Sequence, residues 1–163
     1  MKFDNSDIRR RNRVLDEADA FELLKSGEYG VLSMIDTDGK PYAVPVNFAY
    51  DGGESIYIHC APEGHKLSAL NANNDVTFVI VGHTHVLSTQ FTTEYSSVML
   101  RGKSHLGLDK EERWKALRLI LDKYSPADVE IGLKYSEKSF HRTEIIRIDI
   151  ATISAKAKHV KQP

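Results

Sequence analysis

The feature that most restricts the fold is a series of short β-type segments between Tyr29 and Cys60, cut by two acidic glycine turns. Tyr29 to Ile35 reads as the first strand. Asp36-Thr37-Asp38-Gly39 reverses the chain, an Asp-Gly pair being a strong hairpin signal. Tyr42 to Tyr50 is the second strand, closed by Asp51-Gly52-Gly53, and Ser55 to Cys60 is the third. Three strands joined by tight turns predict an antiparallel meander.

The flanking segments extend this pattern. Asp16 to Ser26 reads as a short helix, capped by Asp16 or Asp19, with Phe21 and Leu24 on its apolar stripe and Gly27 as its stop. A second short helix follows Cys60. Asp75 to Val81 is an aliphatic run suited to a strand buried on both faces. His83 to Glu94 is polar and threonine-rich and carries no clear period. Ser97 to Leu106 reads as a strand interrupted by Gly102. Asp109, with Glu112 three residues on, resembles a capping box ahead of a helix. Trp114, Leu117, Ile120, Leu121 and Tyr124 form that helix's apolar face, and Ser125-Pro126 ends it. Ala127 to Phe140 has room for a turn or two of helix, and Glu144 to Ile153 closes as a strand. About six strands and two or three short helices predict a small, mainly β barrel. The expected organisation is a single domain over 1–163, with an N-terminal arm (1–15) and a C-terminal tail (155–163).

Charge excludes some functions. Twenty-two Lys and Arg against 23 Asp and Glu leave a net charge of −1, so no global basic field drives nucleic-acid binding. Arg9, Arg10, Arg11 and Arg13 are locally basic and read as a solvated arm, and Lys156, Lys158, His159 and Lys161 as a basic, frayed tail. The lone Cys60 excludes an internal disulfide and suits a reducing compartment. No apolar run reaches the roughly 18–20 residues of a membrane span, and Met1 to Asn12 lacks an apolar signal segment. A cytoplasmic protein, independent of membranes, is expected.

The segment Ser55 to Asn73 carries the clearest chemical signal. A strand hands over, through a turn containing Gly64, to a helix whose first residues include His65 and Lys66. The first N–H groups of a helix lack internal partners, and that end is partly positive. Backbone donors and the Lys66 ammonium could therefore hold a phosphate; equally, a lysine in a first helical turn can simply be solvated. His59 precedes the turn and could line the same cavity. It should not form a nucleophile–base pair with Cys60, since adjacent strand residues point to opposite faces. His83 and His85 could share a strand face, but two imidazoles are not a metal site and no third partner lies nearby, so no metal is expected. Pro45 cannot donate to a β-ladder, so Tyr42 to Phe48 must lie at an edge or bulge. Such a break leaves backbone groups free for a ligand, and the Asn47 amide could meet a heteroaromatic ring.

In order and spacing, Tyr29-Gly30-Val31-Leu32, Asp38-Gly39-Lys40-Pro41-Tyr42, Val44-Pro45-Val46-Asn47-Phe48, Ile56-Tyr57-Ile58-His59 and Glu63-Gly64-His65-Lys66-Leu67 carry a family resemblance. Together with Tyr95-Ser96-Ser97-Val98, Gly102 and Arg147-Ile148-Asp149-Ile150, they resemble the pyridoxamine 5′-phosphate oxidase-like FMN-binding split barrels. The nitroimidazole-resistance branch is the most similar. The resemblance runs from about Asp16 to Lys158 and implies a six-stranded antiparallel split barrel that forms a homodimer, with FMN in grooves between subunits. It further implies that Val44, Pro45, Val46 and Asn47 run along the flavin, that Lys66 and His65 lie at the phosphate, and that His59 serves the cofactor groove and catalysis. Ser96 and Ser97 would approach the flavin from the neighbouring subunit. The C-terminal substrate-binding arginine motif of true pyridoxamine phosphate oxidases is missing, which argues against that reaction.

The implied activity is an FMN-dependent oxidoreductase passing electrons, from a nicotinamide donor for instance, to a small organic acceptor. The family branch alone suggests a nitroaromatic acceptor. The alternative is a non-catalytic flavin- or haem-binding protein of the same fold, and a third reading is an apo-dimer used as an interaction module.

Overall fold

The computed structural model describes residues 1–160. Its strands are β1 (Lys2–Phe3), β2 (Gly30–Ile35), β3 (Pro41–Val46), β4 (Ala49–Tyr50), β5 (Ser55–Cys60), β6 (Asp75–Leu87), β7 (Thr92–His105) and β8 (Glu144–Lys158). The helices are α1 (Glu17–Ser26), α2 (His65–Ala72), α3 (Lys110–Tyr124) and α4 (Val129–Ser139). None of them is long and apolar enough to cross a membrane.

The sheet order is β3-β2-β6-β7-β8-β5-β4, with every neighbouring pair antiparallel. The short β1 adds a parallel pair beside β8. β3 and β4 occupy opposite ends of this order, yet only Asn47 and Phe48 separate them in the chain. So short a link forces the sheet to curl until its ends meet, without a ladder between them. That is a split barrel. Inside it, one face of each long strand builds a single core that includes Leu32, Phe78, Ile80, Leu100, Ile58 and Ile148.

Local signals are realised as sequence chemistry demands. The Asp36 carboxylate accepts the N–H groups of Asp38 and Lys40, and Gly39 takes a φ of 76°, in the left-handed region that suits glycine. Asp51 does the same for Gly53 and Ser55. Asp16, rather than Asp19, caps α1 by accepting the Asp19 N–H, and Asp109 caps α3 through the Glu112 N–H.

Several expectations need correction. The second strand breaks into β3 and β4, and no meander forms: β5 pairs with β4 and β8, while β2 takes β6 as its second neighbour. β6 is buried on one face only, with Val76, Phe78 and Ile80 in the core and Val81 53% exposed. It continues through the polar stretch to Leu87, and β7 begins at Thr92, because each supplies the other's backbone partners. α4 is three turns long. β8 runs on to Lys158, pairing with β7 as far as Tyr95, so Ala155 to Lys158 is ladder rather than frayed tail. Lys161 lies outside the described residues. The N-terminal arm is docked too: Asn5 Oδ1 accepts the Ala155 N–H at 3.0 Å, and Leu15 is buried.

Gly102 interrupts β7, as expected, by a register shift against β8 between Arg101 and Gly102. A Cβ there would fall 2.0 Å from the Asp149 carbonyl oxygen. Backbone crowding therefore requires glycine.

Candidate functional site

β3 is the last strand of the sheet, so its outer edge leaves backbone donors and acceptors unpaired. Pro45 fits there because an edge strand can do without one N–H; it lies opposite Val31 of β2. Tyr42, Val44 and Val46 turn inward onto the core, while Ala43, Pro45 and Asn47 are exposed. The strand therefore offers any ligand its free edge and its outward side chains, with the two valines as support from behind.

The start of α2 lies against this strand. His65 meets the Tyr42 ring edge-on at 4.6 Å, and its Nε2 lies 3.8 Å from Asp36 Oδ2 in the β2–β3 turn. His65 is thus turned toward the hairpin. Gly64, the residue before the helix, has φ 131° and provides no side-chain cap, so the first N–H groups of α2 are open to a ligand. Lys66 is half-buried and forms no ion pair among the described residues.

The end of β5 completes the group. Packing around the His59 ring, and then the nearby Lys66 charge, hold its imidazole below the usual histidine range. The ring is consequently neutral at neutral pH and able to donate or accept one hydrogen bond. Burial pushes the Cys60 thiol up despite the same lysine, which leaves it protonated and poorly nucleophilic. His59 keeps one side open to solvent on the outer face of β5 while the rest of its ring is packed, whereas Cys60 packs against the core, as strand alternation requires.

Asn47 is less available than its sequence position implied. Its Nδ2 donates to the Glu28 carbonyl at 3.0 Å, so part of its amide is committed to holding the chain where β3 ends. α3 tightens the same corner, an arrangement that sequence reasoning missed. The Tyr124 hydroxyl accepts the Phe48 N–H at 3.0 Å and lies 2.6 Å from the Glu28 carbonyl oxygen, while Lys123 Nζ donates to the Phe48 carbonyl at 2.9 Å. Tyr124 was legible only as part of an apolar stripe, and nothing local announces partners 76 residues away.

Ser96 and Ser97 do not form a joint surface. Ser96 shares the inward side of β7 with Val98 and Leu100, against Gly82, whereas Ser97 faces outward. Only Ser97 can contact a molecule lying on the outer face. There a groove of about 1000 Å³ runs between the N-terminal arm and the outer sides of β6, β7 and β8, and includes Ser97. A shallower concavity of about 690 Å³ lies further along the same sheet. Among the described residues, no group of three or more metal-binding side chains gathers, and the His83 and His85 rings stand 6.5 Å apart.

A family model described as pyridoxamine 5′-phosphate oxidase matches residues 16–157. No curated protein sequence matches the chain. Among solved structures, a Bacteroides thetaiotaomicron protein provisionally assigned to 5-nitroimidazole antibiotic resistance superposes with a TM-score of 0.73, at 24% identity, covering 89% of this chain and 86% of that one. A FAD-binding protein from Mesorhizobium loti gives 0.65 at 21% identity, with coverages of 90% and 98%. The FAD and heme binding protein of Mycobacterium smegmatis gives 0.69 at 19% identity, covering 91% and 74%. At these identities the likeness is one of fold.

Proposed function

The chain belongs to the pyridoxamine 5′-phosphate oxidase family, and from that premise we propose that it is an FMN-dependent oxidoreductase of a small organic acceptor. The observation that carries this reading is the meeting of an open strand edge with an uncapped helix start. The Tyr42–His65 contact ties β3 to α2, beside Lys66, which forms no ion pair among the described residues. This donor set suits FMN. Unfilled N–H groups and one ammonium match a phosphate, and a free β-edge matches the polar rim of a flat ring.

When bound, the flavin supplies electron transfer between a reduced donor and the acceptor. The chain supplies position. Lys66 and the first N–H groups of α2 hold the phosphate, and β3 from Val44 to Asn47 aligns the ring. Glu28, Lys123 and Tyr124 keep the end of that strand from shifting. His59, whose surroundings favour the neutral ring, would offer one hydrogen bond at the edge of the flavin or the acceptor, or take up a proton there. A second copy covers the open edge of β3 and brings Ser97 to its partner's flavin, so the working form is a homodimer. One cysteine suits the reducing cytoplasm.

The test is the absorption spectrum of the freshly purified protein, followed by titration of the stripped protein with FMN and riboflavin. A flavin spectrum with FMN preferred over riboflavin is expected, with sedimentation as a dimer. A Soret band and no flavin uptake would move the chain to the haem-binding alternative.

A further inference from the structure

Beyond the register shift between Val81 and Thr84, β6 and β7 run on as a ribbon, residues 84–95, in which the two strands pair with each other. β8 accompanies β7 only as far as Tyr95. So narrow a ribbon is marginal in water unless it packs against something. Its inner side is braced by the chain's end. Glu94 accepts the Val160 N–H at 2.6 Å and lies 3.4 Å from His85 Nδ1, and the Lys158 ammonium donates to the Thr92 hydroxyl.

The outer side is bare. Ser97, Tyr95 and Thr93 alternate onto it along β7, and Val86 lies opposite Thr93. Val86 is 69% exposed, and Phe91, at the turn, is 96% exposed. Phe91 has φ 48°, a left-handed backbone that is costly for a bulky residue and here holds an aromatic ring in solvent.

The chemistry of the ribbon restricts what covers it. No Lys or Arg lies between Gly82 and Ser97, so nothing there attracts a nucleic acid or an anionic membrane. A matching surface exists on the chain itself. The outer side of β3, with Ala43, Pro45 and Asn47, is exposed and uncharged, and the edge of that strand is unpaired. Two copies related by a two-fold axis satisfy both surfaces at once, ribbon on β3 and β3 under ribbon. Thr93 lies four residues from Ser97, about 13 Å along the strand. A copy that brings Ser97 to its partner's flavin therefore carries the ribbon across the same groove.

We propose that the ribbon lies across β3 of a second copy, where Val86 and Phe91 cover that copy's flavin groove and select a flat, uncharged acceptor. Neither the ribbon nor β3 offers a free charge to an ionic acceptor, and Phe91 offers a ring face to a flat one. The acceptor role rests on the oxidoreductase reading above, whereas the contact between copies requires only the dimer.

The experiment begins with sedimentation of the full-length protein. It compares wild type, Val86→Ser/Phe91→Ser, Ala43→Glu and a control, Ile131→Ser/Tyr135→Ser, which removes two exposed apolar side chains from α4. Circular dichroism verifies each fold. The ribbon variant and Ala43→Glu should each weaken the dimer by about tenfold or more, as loss of an aromatic anchor does, and the control should not. With FMN bound, iodide should quench the flavin of the ribbon variant more strongly than that of wild type. Anaerobically reduced wild type should be reoxidised faster by naphthoquinone than by naphthoquinone sulfonate. Phe91→Lys should narrow that preference by about tenfold, through the attraction of one added charge.

A monomeric wild type overturns the proposal. So do a dimer and a flavin quenching that the ribbon variant leaves unchanged, and in that case the flavin reading stands. An unaltered quinone preference in Phe91→Lys overturns the acceptor role. Binding of wild type, but not of the ribbon variant, to neutral phosphatidylcholine vesicles would give the apolar tip to a lipid surface and also overturn the proposal. Should wild type take up no FMN while its dimer still depends on Phe91, the oxidoreductase reading falls and the contact between copies stands.

Discussion

The hydroxyl of Tyr124, in the last turn of α3, lies 3.0 Å from the backbone nitrogen of Phe48 and takes its hydrogen. Phe48 is fully buried at the point where β3 gives way to β4, so this contact fastens α3 to the link between the two end strands of the sheet. Tyr124→Phe keeps the ring and leaves the Phe48 N–H without its acceptor. An unsatisfied buried donor costs about 1–3 kcal/mol. Urea unfolding should show that loss with an unchanged slope, and FMN affinity should fall as the end of β3 loosens. Unaltered stability would mean that water replaces the hydroxyl.

Lys66→Ala should weaken FMN by about 10- to 150-fold, since a charge-assisted hydrogen bond contributes roughly 1.5–3 kcal/mol. Riboflavin, lacking the phosphate, should lose little. Equal losses for both ligands would put Lys66 away from the phosphate.

The same variant has a second readout that needs no ligand. Lys66 contributes to holding His59 below the usual histidine range, after burial. Its removal should move the His59 titration upward, as followed by NMR of the imidazole protons. A fixed titration would show that burial alone sets the shift.

Lys123 is pulled down to about 8 by burial, from an ordinary 10.5. Its folded value lies below the unfolded one, so between these limits the unfolded chain binds more protons and stability rises with pH. The charged form retains the Phe48 carbonyl at 2.9 Å and the Phe48 ring at 3.8 Å, and the group is partly open to solvent. Screening reduces the effect to about 1 kcal/mol. The stability of wild type minus Lys123→Met, measured by urea unfolding, should therefore grow by that amount from pH 8 to 10.5. A constant difference would mean that the hydrogen bond and the ring offset burial completely.

Gly102→Ala should cost about 1–3 kcal/mol or more, because the new methyl meets the Asp149 carbonyl rather than a movable side chain. Thermal unfolding measures it. Neutral behaviour would require β7 and β8 to separate at the bulge without loss.

What the sequence alone determined about this protein is what short-range chemistry decides. Asp36 and Gly39 specify a turn because carboxylate, N–H groups and left-handed glycine are near neighbours in the chain, and Asp109 caps α3 for the same reason. Ser55–Cys60 and the start of α2 were readable likewise, and Pro45 announced an edge. The tertiary structure alone decided which strands pair. β5 and β8 are equally apolar partners for several neighbours, and their register follows from closing the whole sheet around one core. It also decided the length of β6 and β7, whose polar ends are strand only because each supplies the other's ladder. The clamp on Asn47 and Phe48 and the gathering of Arg9, Arg10, Arg13 and Lys156 join residues far apart in the chain. No local pattern encodes such meetings, because they depend on the path of everything between.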